Sequence, residues 1–145
     1  MGGILRLLLR LNQSQANLLT KEAYHRKPME ACALLFGESD KDVYNVKKVV
    51  VAPNILNSRI QFEINPLLVV AESEKAEKEG LELVGFFHSH PAPPYPSEID
   101  IRNMKLWTNT LWLIFSLTEN KFATFMFINK ILEEIPVIIN SDSKE

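Results

Sequence analysis

Leu81-Glu82-Leu83-Val84-Gly85-Phe86-Phe87-His88-Ser89-His90-Pro91-Ala92-Pro93-Pro94-Tyr95-Pro96-Ser97-Glu98-Ile99-Asp100 is the stretch from which the rest of the chain can be read. Its first part, Leu81–Phe87, is a compact apolar run with Gly85 inside it and reads as a strand. Two of the chain's three histidines follow at its end, two residues apart. On a strand, side chains at i and i+2 point to the same side, so both imidazoles can face one point in space. Four prolines then fall within the six residues 91–96. They fix φ and leave little entropy to lose on ordering, which suits a loop holding groups from two elements at a set separation. Ser97 opens a short helix, Ser97–Trp107, with Asp100 in its first turn; Ser-x-x-Asp is also a helix-capping pattern.

Two histidines and one carboxylate, with a fourth position left for water, are a common catalytic zinc set. Each part also has a plainer reading. A His-x-His pair alone fits surface or structural histidines, the proline loop fits a stiff connector, and Ser97 fits a cap. The cap and a chemical role are compatible, because the Ser97 hydroxyl would lie within one turn of Asp100. Ser89, between the histidines, points away from their side by alternation and reads as structural. His25 lies on an upstream helix without a partner in sequence and reads as surface.

Outward from this stretch the chain reads as one mixed α/β domain spanning 1–145, with a polar tail from about 140. Ile4–Leu11 looks like a first strand. Asn12–Arg26 carries Ala16, Leu19 and Ala23 at helical spacing, with Asn12 or Ser14 able to cap and Pro28 closing the segment. Ala31–Phe36 reads as a strand, Gly37–Asp40 as a turn, Val43–Val51 as a strand, and Gln61–Ile64 as a further short strand. Asn65-Pro66 is a cap followed by proline at the first helical position, and Gly80 suits that helix's end. Leu111–Leu117 and Phe122–Ile128 form a hairpin through Thr118–Lys121, and Ile135–Ile139 is the last strand.

The bulk numbers bound the function. With 145 residues the chain can bury a real core, and 46% hydrophobic with 23% charged residues is a globular balance. A net charge of -2 argues against a nucleic-acid binder. The longest apolar run, Ile4–Leu11, is broken by Arg6 and Arg10, far short of a membrane span, and has no signal-peptide cleavage site after it. The single cysteine, Cys32, sits in an apolar run, reads as buried filler and fits a reducing compartment. The expectation is a cytoplasmic protein without nucleic-acid or membrane partners.

The string His88-Ser89-His90-Pro91, five residues, Ser97, two residues, Asp100 resembles the JAMM motif of the MPN-plus (JAB1/MPN/Mov34) metalloproteases. Pro28-Met29-Glu30-Ala31-Cys32-Ala33-Leu34-Leu35-Phe36-Gly37 looks like the usual setting of that family's upstream glutamate, and the order of elements agrees over most of residues 1 to 140. The resemblance implies a single MPN domain, a mixed curved sheet flanked by helices and similar to cytidine deaminases. It implies one Zn2+ per chain on His88, His90 and Asp100, with a bound water. Glu30 would be the general base and Ser97 the donor to the oxyanion. Without the resemblance, Glu30 reads first as an exposed strand-edge glutamate; with it, as the base.

The implied activity is hydrolysis of the peptide or isopeptide bond after the C-terminus of a ubiquitin-like modifier. The partner would then be a ubiquitin-like protein ending in two glycines, or its conjugates, with the tail adding beside an exposed sheet edge. A homodimer is compatible with it. The chain departs from many eukaryotic members in having one residue fewer between Pro91 and Ser97, which resembles prokaryotic, archaeal members. It also has Ala33 where glycine is frequent, and little room for the insertions that select ubiquitin linkages. Two other readings use the same sequence: a peptidase of this family processing a sulfur-carrier protein in cofactor or cysteine synthesis, and a non-catalytic scaffold or binding module. The full polar set speaks against the scaffold. A zinc nucleoside deaminase would need paired cysteines, and one cysteine excludes it.

Overall fold

A computed structural model of the chain describes residues 7–142. The expected start of the first strand, residues 4–6, and the end of the expected tail, residues 143–145, lie outside them. The described elements are β1 (Leu8–Asn12), α1 (Gln13–Arg26), β2 (Cys32–Asp40), β3 (Val43–Ala52), α2 (Pro66–Lys78), β4 (Glu82–His90), α3 (Glu98–Leu106), β5 (Leu111–Ser116), β6 (Lys121–Ile128), β7 (Ile131–Ile135) and β8 (Val137–Asn140). All the strands join one mixed sheet in the order β7-β6-β5-β4-β2-β3-β1-β8. β1 is parallel to β3 and β8, and β4 is parallel to β5; the remaining neighbours are antiparallel.

The sheet is curled almost closed, and the chain shows why. β7 and β8 are its two ends, yet only Pro136 separates them in sequence. A residue spans roughly 3.5 Å at most, so the two ends must come together. Leu9 N–H donates to Pro136 C=O at 2.9 Å at that seam.

Both faces are covered. One core holds Leu9, Leu11, Leu19, Ala33, Phe87, Leu113 and Phe115, with α1 packed on it through Leu19 and Ala23. The other holds Cys32, Leu34, Phe36, Phe86, Met104, Trp112 and Ile114, where α2 contributes Ala76 and α3 contributes Met104. A strand buried on both faces shows no polar alternation, and β4 is buried continuously from Val84 to His90. Phe86 belongs to the α2/α3 face and Phe87 to the α1 face. By parity, His88 and His90 point with Phe86, and Ser89 points with Phe87.

The caps behave as the sequence suggests. Asn12, rather than Ser14, caps α1: Asn12 Oδ1 accepts from Gln15 N–H at 2.8 Å, while Gln15 Oε1 accepts from Asn12 N–H at 2.9 Å. Asn65 and Pro66 open α2, and Gly80 follows its end at φ +78°.

Several expectations need correction. Gly37–Asp40 is not a turn; β2 continues to Asp40, and the reversal falls at Lys41 and Asp42. Gly37 instead sits at a bulge opposite β3, where a Cβ would lie 1.9 Å from Asn45 C=O. Gln61–Ile64 is not a strand but part of an irregular loop, with Phe62 and Ile64 packed inward. Ile135–Ile139 is two strands on opposite ends of the sheet, divided at Pro136, which has no N–H for a ladder. β7 takes only Ile135 from the expected strand; the rest of it, 131–134, is additional.

Candidate metal centre

β4 carries the two histidines past the expected strand end at Phe87, so His88, Ser89 and His90 are all part of the ladder. The register pairs His88 with Cys32 on β2 and with Ile114 on β5. This leaves the imidazoles buried in the middle of the sheet, His88 at 0% and His90 at 6% exposure. Ser89, on the other face, accepts from Ala31 N–H through its hydroxyl at 2.9 Å and donates its own N–H to Ala31 C=O. It fastens β4 to the residue after Glu30, the structural role expected of it.

The proline loop turns the chain into α3. Ser97 is the cap: its Oγ accepts from Asp100 N–H at 3.1 Å, and Asp100 Oδ2 accepts from Ser97 N–H at 3.0 Å. The Ser97 hydroxyl therefore caps with its lone pair and keeps its proton free to donate. Asp100, almost fully buried, points its carboxylate back toward β4.

Three atoms meet there. His88 Nε2 and His90 Nε2 are 3.1 Å apart, and each is 3.0 Å from Asp100 Oδ2. Glu30, 2% exposed, brings Oε2 to 3.8 Å from His90 Nε2. Glu30 and the two histidines also offer ligand atoms within 4.8 Å of one another. The tighter triangle is the one closed by Asp100, and Glu30 stands beside it. His25 is exposed on α1, away from this cluster, as expected.

Burial sets the proton affinities. Burial first, and then the negative charge of Asp100, push the Glu30 carboxyl up to about 9. Burial also favours neutral imidazole at His88 and lowers its pKa, against the pull of Asp100. For Asp100, burial opposes ionisation, but the charge and hydrogen bond of His88, with bonds from His90 and the Ser97 backbone, outweigh it and hold the carboxyl well below the usual range. The site thus pairs one carboxylate kept charged with another kept neutral. Cys32, adjacent on β2, is buried and its thiol is pushed up to about 12, which agrees with inert filler.

Two buried atoms of this cluster have no hydrogen-bond partner, Glu30 Oε1 and His88 Nδ1. A metal-binding imidazole ordinarily donates its second nitrogen to a carboxylate, carbonyl or water. Here the His88 ring is held by stacking instead: Phe62 lies 4.6 Å away, centroid to centroid, at 23°. A cleft of about 420 Å³ opens onto Glu30, His90 and Ser97, with Ile60, Ala92, Pro93 and Tyr95 supplying apolar walls. A second, aromatic cleft of about 360 Å³ lies behind Phe62, between α2 and Trp107. Phe62 and Asn54, both in the loop between β3 and α2, were not singled out from the sequence. The Pro53-Asn54 pair marks a turn, but nothing local says that the loop folds back over Glu30.

A family described as prokaryotic homologs of the JAB domain matches residues 13–128, well over half of the chain. The chain belongs to this family. A desampylase from Pyrococcus furiosus is 37% identical to this JAB domain over 112 residues, covering 77% of this chain and 76% of the relative. A Thermus thermophilus protein named "Probable TtuB-protein conjugate cleaving protease" is 32% identical over 97 residues, covering 66% and 59%. Among solved structures, the solution structure of a protein from Desulfitobacterium hafniense matches with a TM-score of 0.80 and 28% identity, over 92% of this chain and 94% of that one. The expected fold and family are therefore those of the chain. No helix among the described residues is long and apolar enough to cross a membrane.

Proposed function

We propose that this JAB domain is a zinc metallo-isopeptidase that hydrolyses the peptide or isopeptide bond after the C-terminus of a ubiquitin-like modifier. The observation that carries the reading is the buried triangle of His88 Nε2, His90 Nε2 and Asp100 Oδ2, with edges of 3.0 to 3.1 Å, beside the buried carboxyl of Glu30. Zinc bonded at roughly 2.0–2.1 Å to three tetrahedral ligands needs their atoms about 3.3 Å apart. The triangle falls a few tenths of an ångström short of that, within reach of small side-chain shifts. The donor chemistry fits as well. Two Nε2 atoms and a peptide N–H crowd one carboxylate oxygen, and a cation among the lone pairs relieves the crowding.

The relatives' names support the substrate class, since one of them names cleavage of protein conjugates. Zinc, when bound, lowers the pKa of water toward about 7 and polarises a carbonyl. The protein's own residues do the rest. Glu30, ionised when a dication sits beside it and buried enough to hold a proton afterwards, would take one from the attacking water and return it to the leaving amine. Ser97 donates its free hydroxyl proton to the oxyanion that forms on the scissile carbonyl. Ile60, Ala92, Pro93 and Tyr95 give the open cleft an apolar lining against which the chain on either side of the reacting bond can pack.

A tail ending in two glycines is the chemistry that lets a backbone approach so enclosed a centre. It does not reach the site by extending the sheet. The ends of the sheet, β7 and β8, are three and four strands away from β4. The tail instead lies against the irregular segments around Ile60 and Pro93. Processing of a sulfur-carrier protein would use the same residues and fits equally well.

The test is a panel of linear fusions and isopeptide conjugates of ubiquitin-like proteins, incubated with the zinc-loaded protein and with His90→Ala. About one zinc per chain and specific cleavage after the terminal glycine are expected, both largely lost in His90→Ala. A metal-free preparation that cleaves as fast as the loaded one ends the proposal.

A further inference from the structure

Glu30 precedes β2, and its main chain is held by the loop that follows β3. Glu30 N–H donates to Ser58 C=O at 2.8 Å. Its C=O accepts from Asn54 Nδ2 at 3.2 Å. The same Asn54 amide donates to Gln61 C=O at 3.0 Å, while Asn54 Oδ1 accepts from Leu56 N–H and Glu63 N–H, both at 3.1 Å. Two donors and two acceptor lone pairs are the full capacity of an asparagine side chain, and all four are used. Turning the amide over would set like against like at every partner. Aspartate would offer no donor to the two carbonyls, and alanine would offer nothing.

The loop so closed also carries Phe62, the residue after Gln61, which stacks on His88. One side chain therefore ties together the backbone of Glu30 and the ring that orients a metal-binding imidazole. Glu30 Oε1 has no partner of its own, so the carboxyl is placed by its backbone rather than by bonds at its tip.

We propose that Asn54 is a positioning residue for the hydrolysis, acting through the main chain of Glu30 and through Phe62 to set the base against His88 and His90. The inference rests on the assignment of Glu30 as the base given above. A base displaced by about 1 Å costs roughly 10²-fold in rate, so Asn54→Asp lowers kcat by about 10- to 100-fold. KM rises less than kcat falls, because Asn54 itself does not line the cleft, although Arg59 and Ile60 of the loop that it closes do. At saturating zinc the content stays near one per chain, because His88, His90 and Asp100 all lie outside the loop, while zinc affinity falls modestly as Phe62 loosens on His88.

The experiment uses the full chain in four forms: wild type, Asn54→Asp, Glu30→Gln and the double variant. The substrate is the modifier fusion that the wild type cleaves fastest. Asn54→Ser, which also cannot make the four bonds, replaces Asn54→Asp if that variant does not fold. A residue acting through Glu30 loses its effect once Glu30 cannot move a proton, so the double variant should be no slower than Glu30→Gln. On the metal-free proteins, hydrogen exchange at the amides of Glu30, Leu56 and Glu63 should quicken while that of β4 does not. Wild-type cleavage by Asn54→Asp, equal losses in both backgrounds, or unchanged exchange at these amides would overturn the proposal. A Glu30→Gln enzyme as fast as the wild type would remove the base assignment itself, and this inference with it, without reference to any Asn54 variant.

Discussion

Replacing Glu30 by glutamine separates what the carboxyl does for stability from what it does for catalysis. In the metal-free protein the folded-state pKa is about 9 against 4.5 for a free glutamate. The pKa is raised, so the folded chain holds the proton more tightly. The stability this gives is fully present below about pH 4.5 and is lost as pH rises through 9. The loss approaches about 1.4 kcal/mol per pH unit where the folded side chain is protonated and the unfolded one is ionised.

His88 and Asp100 have lowered values and contribute their change at or below the ordinary histidine range. The raised thiol of Cys32 adds a smaller fall near pH 8.5 in wild type and Glu30→Gln alike, so the difference between the two proteins from pH 7 to 8.5 isolates Glu30. Across that window the upper limit is about 2 kcal/mol, and relaxation around the charge would halve it. For a chain of this size that is roughly 2–8 °C in Tm. Thermal melts in chelator at pH 7 and 8.5 should show that fall in the wild type and only the smaller Cys32 part of it in Glu30→Gln. With zinc bound, Glu30→Gln should keep its metal while turnover drops about 10²- to 10⁴-fold. Equal pH slopes in the two metal-free proteins would refute the buried, protonated state, and near-normal turnover with full zinc would refute the base.

Ser97→Ala should retain zinc, lose about 10²- to 10³-fold in kcat and about 1 kcal/mol of stability through the missing cap; an earlier melt with wild-type cleavage would make Ser97 a cap alone. Asp100→Asn should lower zinc affinity by orders of magnitude, since a charged ligand oxygen is exchanged for a neutral amide while the acceptor for Ser97 N–H can be kept; titration with a competing chelator reads it, and unchanged affinity would leave the histidines with Glu30 as the metal set. Linear fusions and isopeptide conjugates of one modifier should be cut at similar rates, because the cleft walls are short loops around Ile60 and Pro93; a strong preference for one linkage would show recognition of the acceptor.

The motif stretch was legible because its physics is local. Strand parity alone sets His88 and His90 on one side, and a capping pattern alone puts Asp100 in the first turn of a helix. What was illegible depends on partners far along the chain. Gly37 looked like a turn because a bulge is visible only against β3. β7 escaped notice because its turn, Asn129 and Lys130, adopts φ of 51° and 66° without the Asn-Gly pair that usually announces such a hairpin. The residues that hold Glu30, Asn54 and Ser58, lie in a loop whose composition says only that it is a loop.

The charges of the site favour a base that answers to metal occupancy. In the proposed metal set His88 and His90 would bring imidazole nitrogens without charge of their own, and Asp100 one negative charge into a buried space at the start of α3. The helix dipole and the Ser97 N–H support that charge. A dication there leaves one positive charge uncompensated inside the protein, which is costly. Releasing the Glu30 proton cancels it. The metal-free protein keeps Glu30 protonated for the opposite reason, since a second carboxylate beside Asp100 would be unpaired and desolvated. The same side chain thus holds its proton without metal and becomes a competent acceptor with it. Because only the metal-free form loses stability as Glu30 ionises, the gain in Tm on adding zinc should be larger at pH 8.5 than at pH 7 in the wild type. In Glu30→Gln this difference should shrink to what ionisation of a metal-bound water supplies.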